Sequence, residues 1–250
     1  MREPFLSIGL IARDKFSGAP TALAAALADL PPNSEIVVLD AGYPAAVAER
    51  LREFDGGRIR WQATERHANT NVVWNQFVAT SRAEYLMCVE NDVELRPGAT
   101  AELVAMLASG YCDVAVPVVH EDEVGNPHFD PAPTGVRRIV TQLERHCFAM
   151  SRATARQLGE LDEQMWCRTD LDLGLTLQLL GLTVGVTPNA TAVFRRHQDP
   201  AVDGDFYDRR WDLARVAAAN ERVRAKWLIE PAAEACRLRA LLEDNVSRAV

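Results

Sequence analysis

YLMCVENDVELRPG, residues 85–98, is the stretch on which the fold turns. Tyr85 to Val89 are apolar or half-apolar, the composition of a strand buried on both faces. The run ends abruptly in Glu90, Asn91 and Asp92, and Arg96-Pro97-Gly98 marks a turn. Carboxylates at the C-terminal mouth of a buried strand stand where open α/β sheets bind their ligands. Glu90 and Asp92 are separated by one residue, so an extended backbone puts them on the same side. Two hard oxygen donors placed this way suit a divalent cation that also holds phosphate oxygens. A strand end solvated by ordinary loop acids is the alternative for this stretch alone.

The flanking sequence repeats the same unit. Phe5–Ala12 (FLSIGLIA), Glu35–Leu39, Arg58–Gln62, Glu84–Val89 and Cys112–Val116 read as strands. Between them Pro20–Leu30, Ala45–Phe54, Asn69–Ser81 and Gly98–Ala108 read as helices, with Gly56-Gly57 as a stop. Strands alternating with helices predict βαβ units, an α/β fold and a mostly parallel central sheet flanked by helices. From Pro117 to Val140 four prolines and scattered acids predict a long irregular loop. Then come a strand at His146–Met150, a short helix from Ser151 to Leu158, and an apolar helix at Asp170–Leu180 closed by Gly181. Two strands at Leu182–Val186 and Thr191–Arg195 follow, then helices at Asp205–Trp227 and Pro231–Asp244. The chain divides into a domain over residues 1–200 and a helical extension over 201–250. The extension either packs on the domain or serves as a homodimer contact.

Composition narrows the function classes. The 250 residues are 48% hydrophobic, ample for a core, and the net charge is -8. That charge excludes a general nucleic-acid binder, which needs a basic surface. Of 27 basic residues only Lys15 and Lys226 are lysine. The five cysteines contain no Cys-x-x-Cys pair, which argues against zinc. Cys88, Cys112 and Cys147 read as buried small hydrophobes. With no signal-like start and no apolar run of membrane-spanning length, a soluble cytoplasmic protein is expected, with at most peripheral membrane contact.

Four further groups could carry chemistry. Asp40 ends the second strand before Ala41-Gly42, on the sheet edge where Glu90 opens. It serves either turn chemistry or a ligand. Asn69, Asn71 and Asn75 punctuate the start of a helix; the first two are candidate caps, and Asn75 is suited to bond a loop or a ligand. Asp170 and Asp172 open a helix and point to different faces. Each is either a favoured first-turn acid or a general base at a cleft rim. His197 follows a strand and the pair Arg195-Arg196. The histidine could join Asp92 on a metal, and the arginines could meet a diphosphate.

In order, FLSIGLIA (5–12), EIVVLDAG (35–42), NVVWNQFVATSRAEYLMCVENDVEL (71–95), HCFAMSR (146–152), LGELDEQMW (158–166) and TDLDLGLTLQLLGLTVGVTPNATAVFRRH (169–197) resemble the family 2 glycosyltransferases of the GT-A fold. The resemblance implies transfer of a sugar from a nucleoside diphosphate donor to an acceptor hydroxyl, with inversion and a Mn or Mg ion. Glu90-Asn91-Asp92 stands where the family carries its Asp-x-Asp motif. Asp92 would hold the metal, with Glu90 facing ribose or metal-bound water. Asp40 and Asn69 would lie near the nucleotide base, and Asn75, Asn91, Arg195 and Arg196 near the donor. Asp170 would be the catalytic base, and His197 would close the metal site. The chain departs from the family pattern at Ala12-Arg13-Asp14, Ala41, Tyr43 and Thr169. Two rivals stand beside this reading: a sugar nucleotidyltransferase of similar architecture with Arg13, Lys15 and Gly18 in its loop, and, on the departures at Ala12-Arg13-Asp14, Ala41 and Thr169, a non-catalytic binding protein.

Overall fold

The structure is a computed structural model and describes residues 3–54, 56–121, 137–140, 143 and 145–229. The chain alternates as expected through β1 (Leu6–Ile11), α1 (Ala19–Ala28), β2 (Glu35–Asp40), α2 (Ala45–Arg52), β3 (Ile59–Ala63), α3 (Thr70–Thr80) and β4 (Tyr85–Glu90). It continues through β5 (Val93–Leu95), α4 (Ala99–Ala108), β6 (Val114–Glu121), β7 (Arg138–Val140), β8 (Cys147–Ser151), α5 (Arg152–Leu158) and α6 (Thr169–Leu179). The last elements are β9 (Val184–Phe194), α7 (Pro200–Trp211) and α8 (Leu213–Trp227).

Among the described residues one sheet runs β3-β2-β1-β4-β8-β6-β9-β5, with β7 also paired to β9. The strands from β3 to β4 are all parallel, as the alternation predicts. Beyond β4 the sheet is mixed: β8 runs antiparallel to both β4 and β6, while β6 and β9 are parallel. The C-terminal ends of β1, β2 and β4 therefore share one edge, and residues 13–18, 40–43 and 90–92 meet there.

Strand alternation divides the core between the two faces of the sheet. Ile36, Val38, Met87 and Val89 pack with Leu23, Leu51 and Leu103 from α1, α2 and α4. Val37, Leu39, Leu86 and Cys88 pack with Trp74, Phe77, Leu158 and Leu177 from α3, α5 and α6. Cys88, Cys112 and Cys147 are buried in these layers as expected.

Four differences from the sequence expectation have local causes. β5 is three residues long and β7 equally short, too brief to show alternation. β7 and the end of β6 fall inside the stretch expected to be a loop, whose residues 122–136 lie outside those described. The two expected strands after Gly181 are one strand, β9. Its partner register jumps from Thr187 to Thr191, so Pro188-Asn189-Ala190 bulges without ending the strand. The expected helix 205–227 starts earlier, at Pro200, and breaks at Asp212, whose side chain accepts from Arg215 N at 3.1 Å and caps α8. The expected helix Pro231–Asp244 lies outside the described residues.

The C-terminal helices pack on the domain. Asp203 in α7 is fully buried. Its carboxylate accepts from Phe16 N (2.6 Å), Ser17 N (2.9 Å), Ser17 Oγ (2.6 Å) and Asp199 N (2.9 Å). Phe206 stacks on His67 and packs on Phe16, with ring centroids 5.0 Å apart in both pairs. α8 closes a small core of Met165, Cys167, Ala219 and Val223. Removing the Asp203 carboxylate leaves four buried or part-buried donors without their acceptor, so Asp203→Ala should lower unfolding free energy by about 3 kcal/mol in urea titration. A change below about 0.5 kcal/mol would show that α7 is not clamped to the loop.

Candidate active site

Glu90 is the last residue of β4 and is buried. A charge there requires partners. His146 Nδ1 lies 2.5 Å from Glu90 Oε2 and Arg13 Nη1 lies 3.2 Å from the same atom. Burial pushes the Glu90 carboxyl up, but Arg13, His146 and Arg210 outweigh it and hold its pKa down at about 2. Glu90 is thus a buried structural anion as well as a wall of the site.

After Glu90 the backbone leaves the strand. Asn91 N donates to Ile11 O (2.9 Å), and Asn91 Nδ2 donates to Lys15 O (2.5 Å). Asn91 therefore fastens the loop after β1. The turn separates the two acids that extended backbone would place together: Glu90 and Asp92 line different cavities.

The Asp92 cavity, about 360 Å³, is lined by Ser17, Gly18, Arg50, Asp92, Arg195 and His197 among others. Sequence-distant Asp92 and His197 therefore line the same cavity. Asp92 is buried; Lys15 Nζ sits 2.7 Å from its Oδ2 and also donates to Arg195 O at 2.8 Å. Oδ1 has no hydrogen-bond partner. Burial raises the Asp92 pKa, and Arg13 and Lys15 offset this only in part. An orphaned buried carboxylate oxygen beside an exposed histidine fits a divalent cation. Among the described residues no cluster of three His, Cys, Asp or Glu side chains surrounds it. Gly18 opens α1 here without a side-chain cap, leaving the helix N-terminus directed at the cavity. A Cβ on Gly18 would lie 3.0 Å from Asn91 O, so any side chain there would press on the Asn91-Asp92 turn.

The second cavity, about 290 Å³, lies on the Glu90 side. It is lined by Arg13, Glu90, Arg145, Asp170, Arg210 and Trp211, among others. Asp170 is exposed in the first turn of α6, and among the described residues no side-chain bond engages it. Asp172 plays the opposite part: it is buried and accepts from Trp227 Nε1 and Lys226 Nζ, both at 2.7 Å, tying α6 to α8. A third cavity, about 460 Å³, lies between Phe16, Tyr43, Arg66, His67, Asp205 and Phe206.

Several expected site residues have structural duties. Asp40 Oδ1 accepts from Gly42 N (2.9 Å) and Tyr43 N (3.0 Å), shaping the turn beside the third cavity. Asn69 caps α3 through Asn71 N and Val72 N, and its amide donates to Glu163 O at 2.7 Å. Asn75 brackets Leu161, donating to its O and accepting from its N, both at 2.9 Å. Asn71 adds a bond to Asp162 O at 2.8 Å. The three asparagines thus stitch α3 to residues 161–163, and none of them lines a cavity described above. Arg195 makes a two-pronged pair with Glu94 (2.7 and 2.8 Å), and Arg196 pairs with Glu121 outside these cavities. Arg13 and Lys15 are paired to Glu90 and Asp92, so they do not form an open triphosphate cradle.

The residues that sequence reasoning missed are Arg145, His146, Arg210 and Trp211. Arg145 and His146 precede a recognisable strand, where buried polar residues start β8. Arg210 and Trp211 sit on a helix assigned to the extension.

The low pKa of Glu90 has a defined consequence for stability. A carboxyl depressed from 4.5 to about 2 stabilises the fold fully above 4.5, and the contribution is lost as pH falls towards 2. The pH-dependent part, on the order of 3 kcal/mol, should be absent from Glu90→Gln. Urea titrations of both proteins across that window check this; parallel pH profiles would overturn it.

The model of the family described as glycosyl transferase family 2 matches residues 7–165. No curated protein matches the chain. Among similar solved structures is a crystal structure of GalNAc-T7 with UDP, GalNAc and Mn2+. Its TM-score is 0.65 at 12% identity, over 96% of this chain and 54% of that one. At that identity the likeness carries the fold, GT-A, and this chain spans about half the length of that structure's chain. The match over residues 7–165 covers well over half of the sequence and takes in β1, β2, β4, Glu90 and Asp92, and on that ground the chain belongs to glycosyl transferase family 2.

Proposed function

We propose that this glycosyltransferase moves a sugar from a nucleoside diphosphate donor to an acceptor hydroxyl in one inverting displacement. The observation that carries the reading is a division across Glu90-Asn91-Asp92. Asp92, His197 and the N-terminus of α1 line one cavity, and the unengaged Asp170 carboxylate lines the next. An orphaned acid oxygen that a divalent cation could occupy, at the positive end of a helix dipole and with Arg50 in the lining, suits a diphosphate. The cavity between Tyr43, Arg66 and His67 has the size and the mix of rings and polar groups for the nucleoside.

Asp92 and His197 would hold a divalent cation, Mn or Mg, which when bound neutralises charge on the leaving diphosphate. Lys15 neutralises the other Asp92 oxygen and fixes its rotamer. Asp170 accepts the proton of the acceptor hydroxyl. Asp172, locked to Lys226 and Trp227, holds the helix that carries it.

Thermal melts with nucleoside diphosphates, each with Mn and with chelator, test the donor site. One of them should raise the melting temperature only with metal, and Asp92→Asn should lose that effect. If no nucleoside diphosphate protects the protein, the reading falls. Once a donor is found, Asp170→Asn should keep its affinity while diphosphate release slows about 100-fold or more. Release at the wild-type rate would remove Asp170 as the base.

A further inference from the structure

Arg145 is buried at 4% exposure at the start of β8 and lines the Asp170 cavity. Its Nη1 donates to Asn71 Oδ1 at 2.5 Å. Nε and Nη2 have no hydrogen-bond partner, and among the described residues no carboxylate lies within 4 Å of it. Arg210, buried at 5%, lines the same cavity. Its Nη1 donates weakly to Arg13 O at 3.4 Å, and its Nε stands 3.8 Å from Asp14 Oδ2 without a hydrogen bond.

The acids nearby do not complete the two guanidinium groups. Glu90 is held by Arg13 and His146; Asp14 accepts from Trp211 Nε1 at 3.0 Å through Oδ2, and its Oδ1 bonds neither arginine. Asp170 faces the same space but is exposed at the rim. A buried guanidinium with open donors carries a large desolvation penalty unless a ligand completes it. Burial accordingly lowers the pKa of both arginines, while Glu90 raises it only in part. The guanidinium fork matches two oxygens of a carboxylate or phosphate. The diphosphate has its own place beside α1 and Asp92, on the other side of Asn91.

We infer that the substrate entering the Asp170 cavity carries a carboxylate or phosphate group, bound by Arg145 and Arg210. This deepens the function proposed above and rests on Asp170 marking the reacting end of the site. The anion belongs either to the acceptor or to a uronic acid on the donor. The cavity, about 290 Å³, admits such a group beside a sugar ring.

Melting curves at constant ionic strength separate these sources. In the first arm the probes are inorganic phosphate, glucuronate and glucose 6-phosphate, with glucose as the neutral control. Saturable protection by an anion, weakened about tenfold or more in Arg145→Gln and in Arg210→Gln, places the charge on an acceptor. Exposed Arg156→Gln, remote from the cavity, should behave as wild type. In the second arm the nucleoside diphosphate selected by the screen carries glucose or glucuronate. A preference for glucuronate that vanishes in both variants places the charge on the donor. If the two variants change neither arm, the arginines are structural and the inference is overturned. Loss of nucleotide binding through Asp92 would sink the function reading alone, because the first arm contains no nucleotide.

Discussion

The buried charge of Glu90 is the constraint from which the rest of the site follows. A carboxylate shut off from water at the end of a central strand is tolerable only if cations come to it. Arg13 comes from the loop after β1 and His146 from the approach to β8, with Arg210 of α7 adding charge from further away. One ionised group therefore brings three segments together that share no sequence proximity. With Arg13 pinned, the following residues are placed too. Lys15 meets Asp92, Asn91 holds Lys15 O, and Gly18 starts α1 against the Asn91 carbonyl. Asp203 then closes this loop from outside by accepting both Phe16 N and Ser17 N.

The parts of the molecule legible in the sequence are those with their own periodicity. β1, β2 and β4 are apolar runs because both faces are covered, and such runs show without any tertiary knowledge. That Asp92, His197 and Asp170 stand at the ends of elements was legible because each follows or opens a readable run. What was not legible depends on the partner. Asn75 reads equally well as a ligand contact or a loop contact, and only the position of Leu161 decides it. Arg145 and Arg210 are two among the arginines that supply nearly all the positive charge, and burial, not type, sets them apart. The same-side expectation for Glu90 and Asp92 held for extended backbone only, and β4 ends at Glu90.

That turn explains why Glu90 in the place of an aspartate is physically sensible. A longer side chain at the end of β4 reaches His146 and Arg13, so the first acid can serve the fold. The second acid keeps a free oxygen facing the cavity of α1 and His197. The two acids are thus divided: Glu90 holds the edge of the sheet, and Asp92 lines the cavity with one oxygen unpartnered.

The division also changes what the C-terminal helices are for. Reading residues 201–250 as an appendage follows from their surface-like charge pattern. Yet Arg210 and Trp211 line the Asp170 cavity, and Lys226 and Trp227 grip Asp172. Asp170 stands two residues from Asp172 on the same short helix, so the orientation of the candidate base depends on α8. The N-terminus of α6 begins at Arg168 with a positive φ, and Arg168 is itself bonded to Asn220 of α8. A base at the rim of a cleft must be held within a fraction of an ångström to be useful. Here the holding groups come from α8, so the boundary drawn at residue 200 divides the chain but not the site.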